Sequence, residues 1–418
     1  MKKLFVCLFA VSMAFVLVGS AMAASDWSFY GSARTGTWWL SSSEETRAIY
    51  SSAALSGSGQ GDSDLALSHS LQGNARIGAK VTSGDVSGQF EYGASGGKAN
   101  IRILKGVWDF GEGQITVGQD YTPISWLSYS NQVLMGDEGM LGFGVMYGGR
   151  KGLLQLQYGG FKVALVEPNV VVDITDGYEA VYAAVAGSSD VVVDANAVFP
   201  KVEVAYHYAG NNFFADIGAG FQATDYKFYF AETKASGASG QDATLTSWVV
   251  GAGAGYNFGK GYYAKLQLNY DVNGAAYGLA RYAPGGVVSF SGESGSLGAA
   301  PYSTWLTGTP TSNALGFEDA QRLGAVFTVG GKLNDIVGVE AGAGIQQFSN
   351  DYFLESENTV YATYLQVPFT VANGVSITPE VGYINWGDIE AVSPVGRKKG
   401  ELDAGSSVYF GISSKIHF

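Results

Sequence analysis

The chain has 418 residues, a formal net charge of −13, and charges on only 15% of its residues, against about a quarter in ordinary globular chains. There are 60 Gly, 25 Tyr and 23 Phe but only 9 Pro and one Cys. This acidity disfavours nucleic acid as a partner, and the mean hydropathy is slightly positive despite it.

The first segment reads as a signal peptide over 1–23, to be cleaved. Lys2 and Lys3 form a basic start, Leu4 to Val18 an apolar run, and Ala21-Met22-Ala23 a small-x-small cleavage site. Cys7 leaves with it, so the exported chain is expected to hold no disulfide, zinc-thiolate site or catalytic cysteine. No later stretch approaches the roughly 18 apolar residues a membrane helix needs.

From residue 24 onward, short and long connections alternate. Short turns are read at Ser83-Gly84-Asp85, Gly111-Glu112-Gly113, Gly159-Gly160, Gly210-Asn211-Asn212, Gly259-Lys260-Gly261, Asn334-Asp335 and Ala372-Asn373-Gly374. Their small and polar residues suit tight hairpins. Longer connections fall at about 41–69, 95–99, 122–149, 168–199, 231–245, 274–317, 350–358 and 387–404. Seven turns and eight loops separate sixteen strands. The alternation is that of an outer-membrane β-barrel, with short periplasmic turns and longer outer loops. Residues 213–230 are read as one long strand, and 170–199 as a stretch that could add a hairpin, leaving eighteen strands open.

Within the strands, apolar and polar residues alternate. Leu71, Gly73, Ala75, Ile77, Ala79 and Val81 are expected outside, opposite Gln72, Asn74, Arg76 and Lys80. Leu266, Leu268 and Tyr270 oppose Lys265, Gln267, Asn269 and Asp271. A polar face this rich fits water better than a dry core. Aromatic pairs near strand ends, such as Trp38-Trp39 and Tyr262-Tyr263, suit interfacial girdles. The last strand, Ser406 to Phe418, puts Val408, Phe410, Ile412, Ile416 and Phe418 on one parity. It is expected to pair with the first strand, near Trp27 to Leu40, and so remove both sheet edges.

Several segments resemble the general porins of Gram-negative outer membranes. These are Phe29-Tyr30-Gly31, Ala75-Arg76-Ile77-Gly78-Ala79-Lys80, Gln89-Phe90-Glu91, Phe110-Gly111 with Ile115-Thr116-Val117-Gly118 to Tyr121-Thr122-Pro123, and Gly411 to Phe418. The similarity covers roughly the first 130 residues and the last ten; the middle matches in rhythm alone. The resemblance implies an all-β, sixteen-stranded transmembrane antiparallel barrel spanning 24–418, in the cell outer membrane. It further implies a homotrimer, contact with lipid and lipopolysaccharide, insertion by the barrel-assembly machinery with Phe418 as assembly signal, and no cofactor. The third loop, 122–149, would fold into the lumen. Asp137 and Glu138, with Asp120, would supply the acidic side of a constriction. Arg34, Arg76, Arg102, Arg150 and Lys80 would supply the basic wall. The chain departs from the family pattern at Met135-Gly136-Asp137-Glu138-Gly139 and at Gln119, and its second loop is very short.

Charges of both signs across a low-dielectric throat align water and polar solutes, and arginines there stay cationic. The expected function is passive diffusion of small hydrophilic solutes and ions. A solute-selective channel for a sugar or an anion, and a structural or adhesive surface barrel, remain as alternatives. No enzyme is expected. The three histidines, His69, His207 and His417, come with no Gly-x-Ser-x-Gly motif and no metal-ligand spacing. Asp62 and Asp64 read as solvated loop residues.

Overall fold

The computed structural model describes residues 26–51, 65–94, 97–137, 139–170, 191–230, 241–279, 281–282, 288–289, 305–307, 316–350, 356–392 and 399–418. The proposed signal peptide, Glu138, Asp62 and Asp64, residues 171–190 and most of 274–317 lie outside them.

Sixteen antiparallel strands close into one barrel. In chain order they are β1 (Asp26–Ser42), β2 (Ala66–Leu71 and Arg76–Ser83), β3 (Val86–Gly93), β4 (Asn100–Asp109), β5 (Gly113–Tyr121) and β6 (Arg150–Tyr158). Next come β7 (Phe161–Val166), β8 (Val191–Ala197 and Lys201–Ala209), β9 (Phe213–Phe230), β10 (Gln241–Gly259) and β11 (Tyr262–Val272). The last are β12 (Ala320–Lys332), β13 (Gly338–Asn350), β14 (Ser356–Gln366 and Phe369–Ala372), β15 (Val375–Asn385) and β16 (Ser406–His417). Each pairs with the next, and β16 returns to β1 from Ser32↔His417 to Ser42↔Ser407. Beyond that register, the Phe418 carbonyl accepts the Gly31 N–H at 2.6 Å. Closure leaves no edge strand to template aggregation.

Three strands are interrupted without changing the count. β8 breaks at Val198-Phe199-Pro200 and β14 at Val367-Pro368, where proline lacks the N–H a ladder needs. Val191–Ala197 pairs with Thr224–Phe230 of β9 and so extends β8. The number is therefore sixteen and not eighteen. β2 breaks at residues 72–75, opposite Arg34, where the Gln72 N–H bonds the Arg34 carbonyl at 3.0 Å and the Ala75 N–H bonds Gln72 at 2.9 Å. The continuous strand expected over 71–82 is in fact bulged.

The outer face is an apolar band. Ile77, Val117, Ile217, Leu268, Phe327 and Phe410 are all exposed, as lipid contact allows. Tyr158, Tyr208, Phe213, Tyr256, Phe258 and Tyr262 flank the short turns and are exposed too, forming one girdle. The aromatic pairs named from the sequence split between the faces. Trp39 stacks outside on Phe410 at 5.1 Å, whereas Trp38 points inward, buried beside Tyr409. Adjacent residues of a strand cannot share a face.

Candidate functional site: the third loop and the basic wall

The loop after β5 turns into the barrel. Its root is closed by the Thr122 N–H on the Gly149 carbonyl at 3.2 Å, and the Trp126 N–H bonds Met146 at 3.0 Å. The two limbs thus run together as a ribbon, with a 3-10 turn at Leu127–Tyr129 and a helical turn, α2, at Leu134–Asp137 (α1 being Glu44–Ser51 of the first loop). Ile124, Tyr129, Met140, Phe143 and Met146 are buried, and they join Val249, Val326, Val360 and Tyr409 of the wall in one apolar cluster.

The wall accommodates this loop with inward glycines. A Cβ on Gly251 would stand 2.8 Å from the Met146 sulfur, and one on Gly253 would overlap the Tyr129 ring. One on Gly344 would fall on the Phe143 carbonyl oxygen. The glycine alternation in β10 and β13 is what lets the loop lie flat against the strands.

Inward carboxylates moor the loop. Glu340 on β13 accepts the Asn131 N–H at 2.9 Å, the Asn131 amide, the hydroxyls of Tyr263 and Tyr364, and the Gln366 amide at 3.1 Å. Glu380 on β15 accepts the Val133 N–H at 2.8 Å and Tyr409 at 3.0 Å. Asp216 on β9 accepts the Tyr129 hydroxyl at 2.6 Å. Burial, and after it this carboxylate, holds the Tyr129 phenol above its ordinary pKa. Glu203 on β8 accepts the Tyr277 hydroxyl at 2.9 Å and the Ile124 N–H at 3.4 Å. Tyr277 ends the short helix α3 (Gly274–Tyr277) of the sixth loop, so two loops meet at one acid. None of these four carboxylates stood out in the sequence. Each is a single inward acid, and its partner is a loop distant in sequence.

On the opposite side lie the arginines. Asp137 reaches the wall directly: its Oδ2 accepts Arg34 at 2.5 Å, Lys415 at 2.8 Å and Asn74 at 3.1 Å. Asp137 has a left-handed backbone, φ 59°, which Asp tolerates better than most residues. Glu138 lies outside the described residues. Arg102 is the extra residue of a β-bulge, since Glu91 pairs with Ile103 and Tyr92 with Ile101. The bulge aims its guanidinium at Glu91, 2.7 Å away, and Arg76 stands 3.5 Å from the same oxygen. Bulges re-aim side chains in this way next to functional sites. The Tyr121 hydroxyl accepts from Arg102 at 3.3 Å and from Arg150 at 3.4 Å, and Arg150 also lies over the Tyr121 ring. Burial raises the Tyr147 phenol, which sits beside Tyr121.

The structure thus brings together Arg34 with Asp137, and Arg76, Arg102 and Arg150 through Glu91 and Tyr121. It does not bring Asp120 to the loop acids: Asp120 pairs with Lys105 on the wall at 2.6 Å. Lys80 lies apart, over the Tyr30 ring. Lys415 and Glu91 were missed as site residues, although inward parity marked both.

No family model and no curated protein matches the chain. Among solved structures it is similar to the outer-membrane channel DcaP of Acinetobacter baumannii, at 14% identity and TM-score 0.59, covering 96% of this chain and 99% of that one. It is similar to OmpT, an outer-membrane protein of Vibrio cholerae, at 13% identity and TM-score 0.54, with 96% and 99% covered. It is also similar to an anion-selective porin from Comamonas acidovorans, at 14% identity and TM-score 0.52, with 94% and 100% covered. The closed ring of sixteen antiparallel strands, matched over nearly the whole of each chain, gives this protein the fold of the outer-membrane porins.

Proposed function

We propose that the protein is an outer-membrane porin, a water-filled channel for passive diffusion of small hydrophilic solutes and ions. The observation that carries this is the asymmetric lumen. The third loop is fixed to the β8–β15 side, and charged groups on the other side keep contact with solvent. The Arg76 and Lys105 side chains are 21% and 22% accessible. The throat is read as the space between the loop and this wall, with Asp137 and Glu138 as its acids and Arg34, Arg76, Arg102 and Arg150 as its bases. Planar-bilayer recording of purified protein tests the reading. Large, stable steps are expected, and silence in the bilayer would exclude a pore.

Anion preference is the favoured refinement. Arg34 and Lys415 share the Asp137 carboxylate, Arg76 and Arg102 share that of Glu91, and Arg150 bonds the Tyr121 hydroxyl, so five cations meet two described carboxylates. A local surplus of cations attracts anions, whatever the net charge of the chain. Catalysis is not part of the proposal. His69 bonds the Thr37 hydroxyl and His207 bonds Asp216.

A homotrimer is proposed too, on the strength of the trimer form recorded for the Vibrio cholerae OmpT. Conductance steps should then come in threes. The resemblance assigns Phe418 to assembly through the barrel-assembly machinery, in a membrane of lipid and lipopolysaccharide. Its ring is 70% exposed to the surroundings, while its backbone closes on Gly31. Deleting Phe418 should lower the yield of heat-modifiable barrels about tenfold, the loss of two closing hydrogen bonds and a lipid-facing ring. Conductance of the barrels that do form should stay the same. Normal yield would remove the assembly role.

A further inference from the structure

Beneath the root of the third loop lies a second lumenal feature. A cavity of about 280 Å³ runs along the wall from β5 to β9, roofed by Tyr121 to Trp126. Asp120, Gln155, Lys162, His207 and Asp216 all face it.

Most polar groups around it are already engaged. Asp216 accepts Tyr129 at 2.6 Å on one oxygen and His207 Nδ1 at 2.7 Å on the other. The Trp126 indole donates to Pro123, and the Ser125 hydroxyl to Gly149. Asp120 uses Oδ2 for Lys105. Two groups are not engaged. Gln155 lines the cavity, and its side chain has no hydrogen-bond partner among the described residues. Lys162 has no carboxylate within salt-bridge distance there.

A polar side chain with no protein partner can bond a solute in place of water. An unpaired lysine beside it adds positive charge, and three donors in no fixed direction. The pair matches a carboxylate, one oxygen on Lys162 Nζ and one on Gln155 Nε2. The Gln155 carbonyl and the open Asp120 oxygen then accept from a hydroxyl or ammonium two bonds away. Trp126 supplies an apolar face.

We propose that this cavity is a solute-binding station on the periplasmic side of the throat, for compact carboxylates that carry a neighbouring hydrogen-bond donor, the class of hydroxy and amino acids. The volume is at the low end of ligand pockets, which excludes oligosaccharides. A solute drawn to the arginines above would pass next to Lys162. The inference rests on the channel reading, and deepens it by naming what the channel holds during passage.

The test uses the full-length protein in planar bilayers, with sodium lactate as probe and lactamide as its uncharged counterpart. In the wild type, lactate current should saturate with concentration and potassium chloride current should not. Lactate should reduce the chloride current, and lactamide should not. Lys162→Gln and, separately, Gln155→Leu should raise the half-saturating lactate concentration at least fivefold, with chloride conductance changed by less than twofold. Heat-modifiable migration on gels checks that each variant is a folded barrel. Linear lactate current in the wild type, or an unchanged half-saturation in both folded variants, would overturn the station while leaving the channel intact. Absence of chloride current in the wild type would instead remove the channel reading, and the station with it.

Discussion

Replacing Asp137 with Asn should move the zero-current potential in a salt gradient toward chloride. The anion-to-cation permeability ratio should rise about three- to tenfold, as expected for one charge removed at roughly 6 Å from the ion path in a medium between protein and water. Asp137 Oδ2 is the sole described carboxylate contact of both Arg34 and Lys415. Asn preserves the shape and the Asn74 contact but carries no charge, so two cations are left facing the lumen without a counter-ion. The shift should shrink at high salt, because screening shortens the reach of the uncovered charge. Adding Glu138→Gln should move the potential further in the same direction. An unchanged potential in the double variant would mean that this pair is not at the throat. Arg102→Gln should act oppositely, toward cations, because it leaves Glu91 with the longer Arg76 contact as its described counter-charge, beside the neutral Tyr30 hydroxyl.

The barrel was legible in the sequence because its signals are local. A tight turn needs small or polar residues at fixed places, and a strand between lipid and water needs period two. Each of the seven short turns therefore fell where it was read, and 213–230 is one strand, β9, whereas the connections read at 168–199 and 231–245 were too long, because Val191–Ala197 and the start of Gln241–Gly259 are strand. The interruptions were less legible. The breaks at Pro200 and Pro368 follow from proline chemistry, but the bulge at Arg102 is a matter of register between β4 and β3. A register belongs to two strands, and neither carries it alone.

The site was legible in part. Arg76 and Arg102 were found through resemblance, and both lie on Glu91. Lys415 was not found, because only closure of β16 on β1 carries it to Asp137 from the far end of the chain. Asp120 was grouped with the loop acids, yet it lies within β5 and pairs with Lys105 on the wall. Glu203, Asp216, Glu340 and Glu380 were not singled out from the sequence. They are in fact what the third loop hangs from, and nothing in their own neighbourhoods says so.

The loop's position on the wall also makes the glycines sensitive. Gly344→Val should reduce single-channel conductance by about half and raise its noise. A side chain there has no space: its first carbon meets the backbone carbonyl of Phe143, and Met140 stands next to it at 2.8 Å. Backbone atoms cannot rotate away as a flexible side chain can, so the loop must move. The wall of β12 to β14 is held by continuous ladders on both sides, whereas the loop is held by a few acids. It is the loop that yields, and the only direction open to it is across the lumen, toward Arg76 and Arg102. Overpacking of this kind costs roughly 1–3 kcal/mol, too little to unfold a barrel with sixteen paired strands. Heat-modifiability should therefore persist while conductance falls. Glu340→Ala gives the contrasting case. It removes the acceptor for Asn131, Tyr263 and Tyr364 without filling any space, so amide exchange in 126–134 should quicken and the noise should rise with little loss of mean current. Equal conductance in Gly344→Val and wild type would show that the loop does not border the path of the ions. The effects of Asp137 on selectivity would then have to act from outside that path.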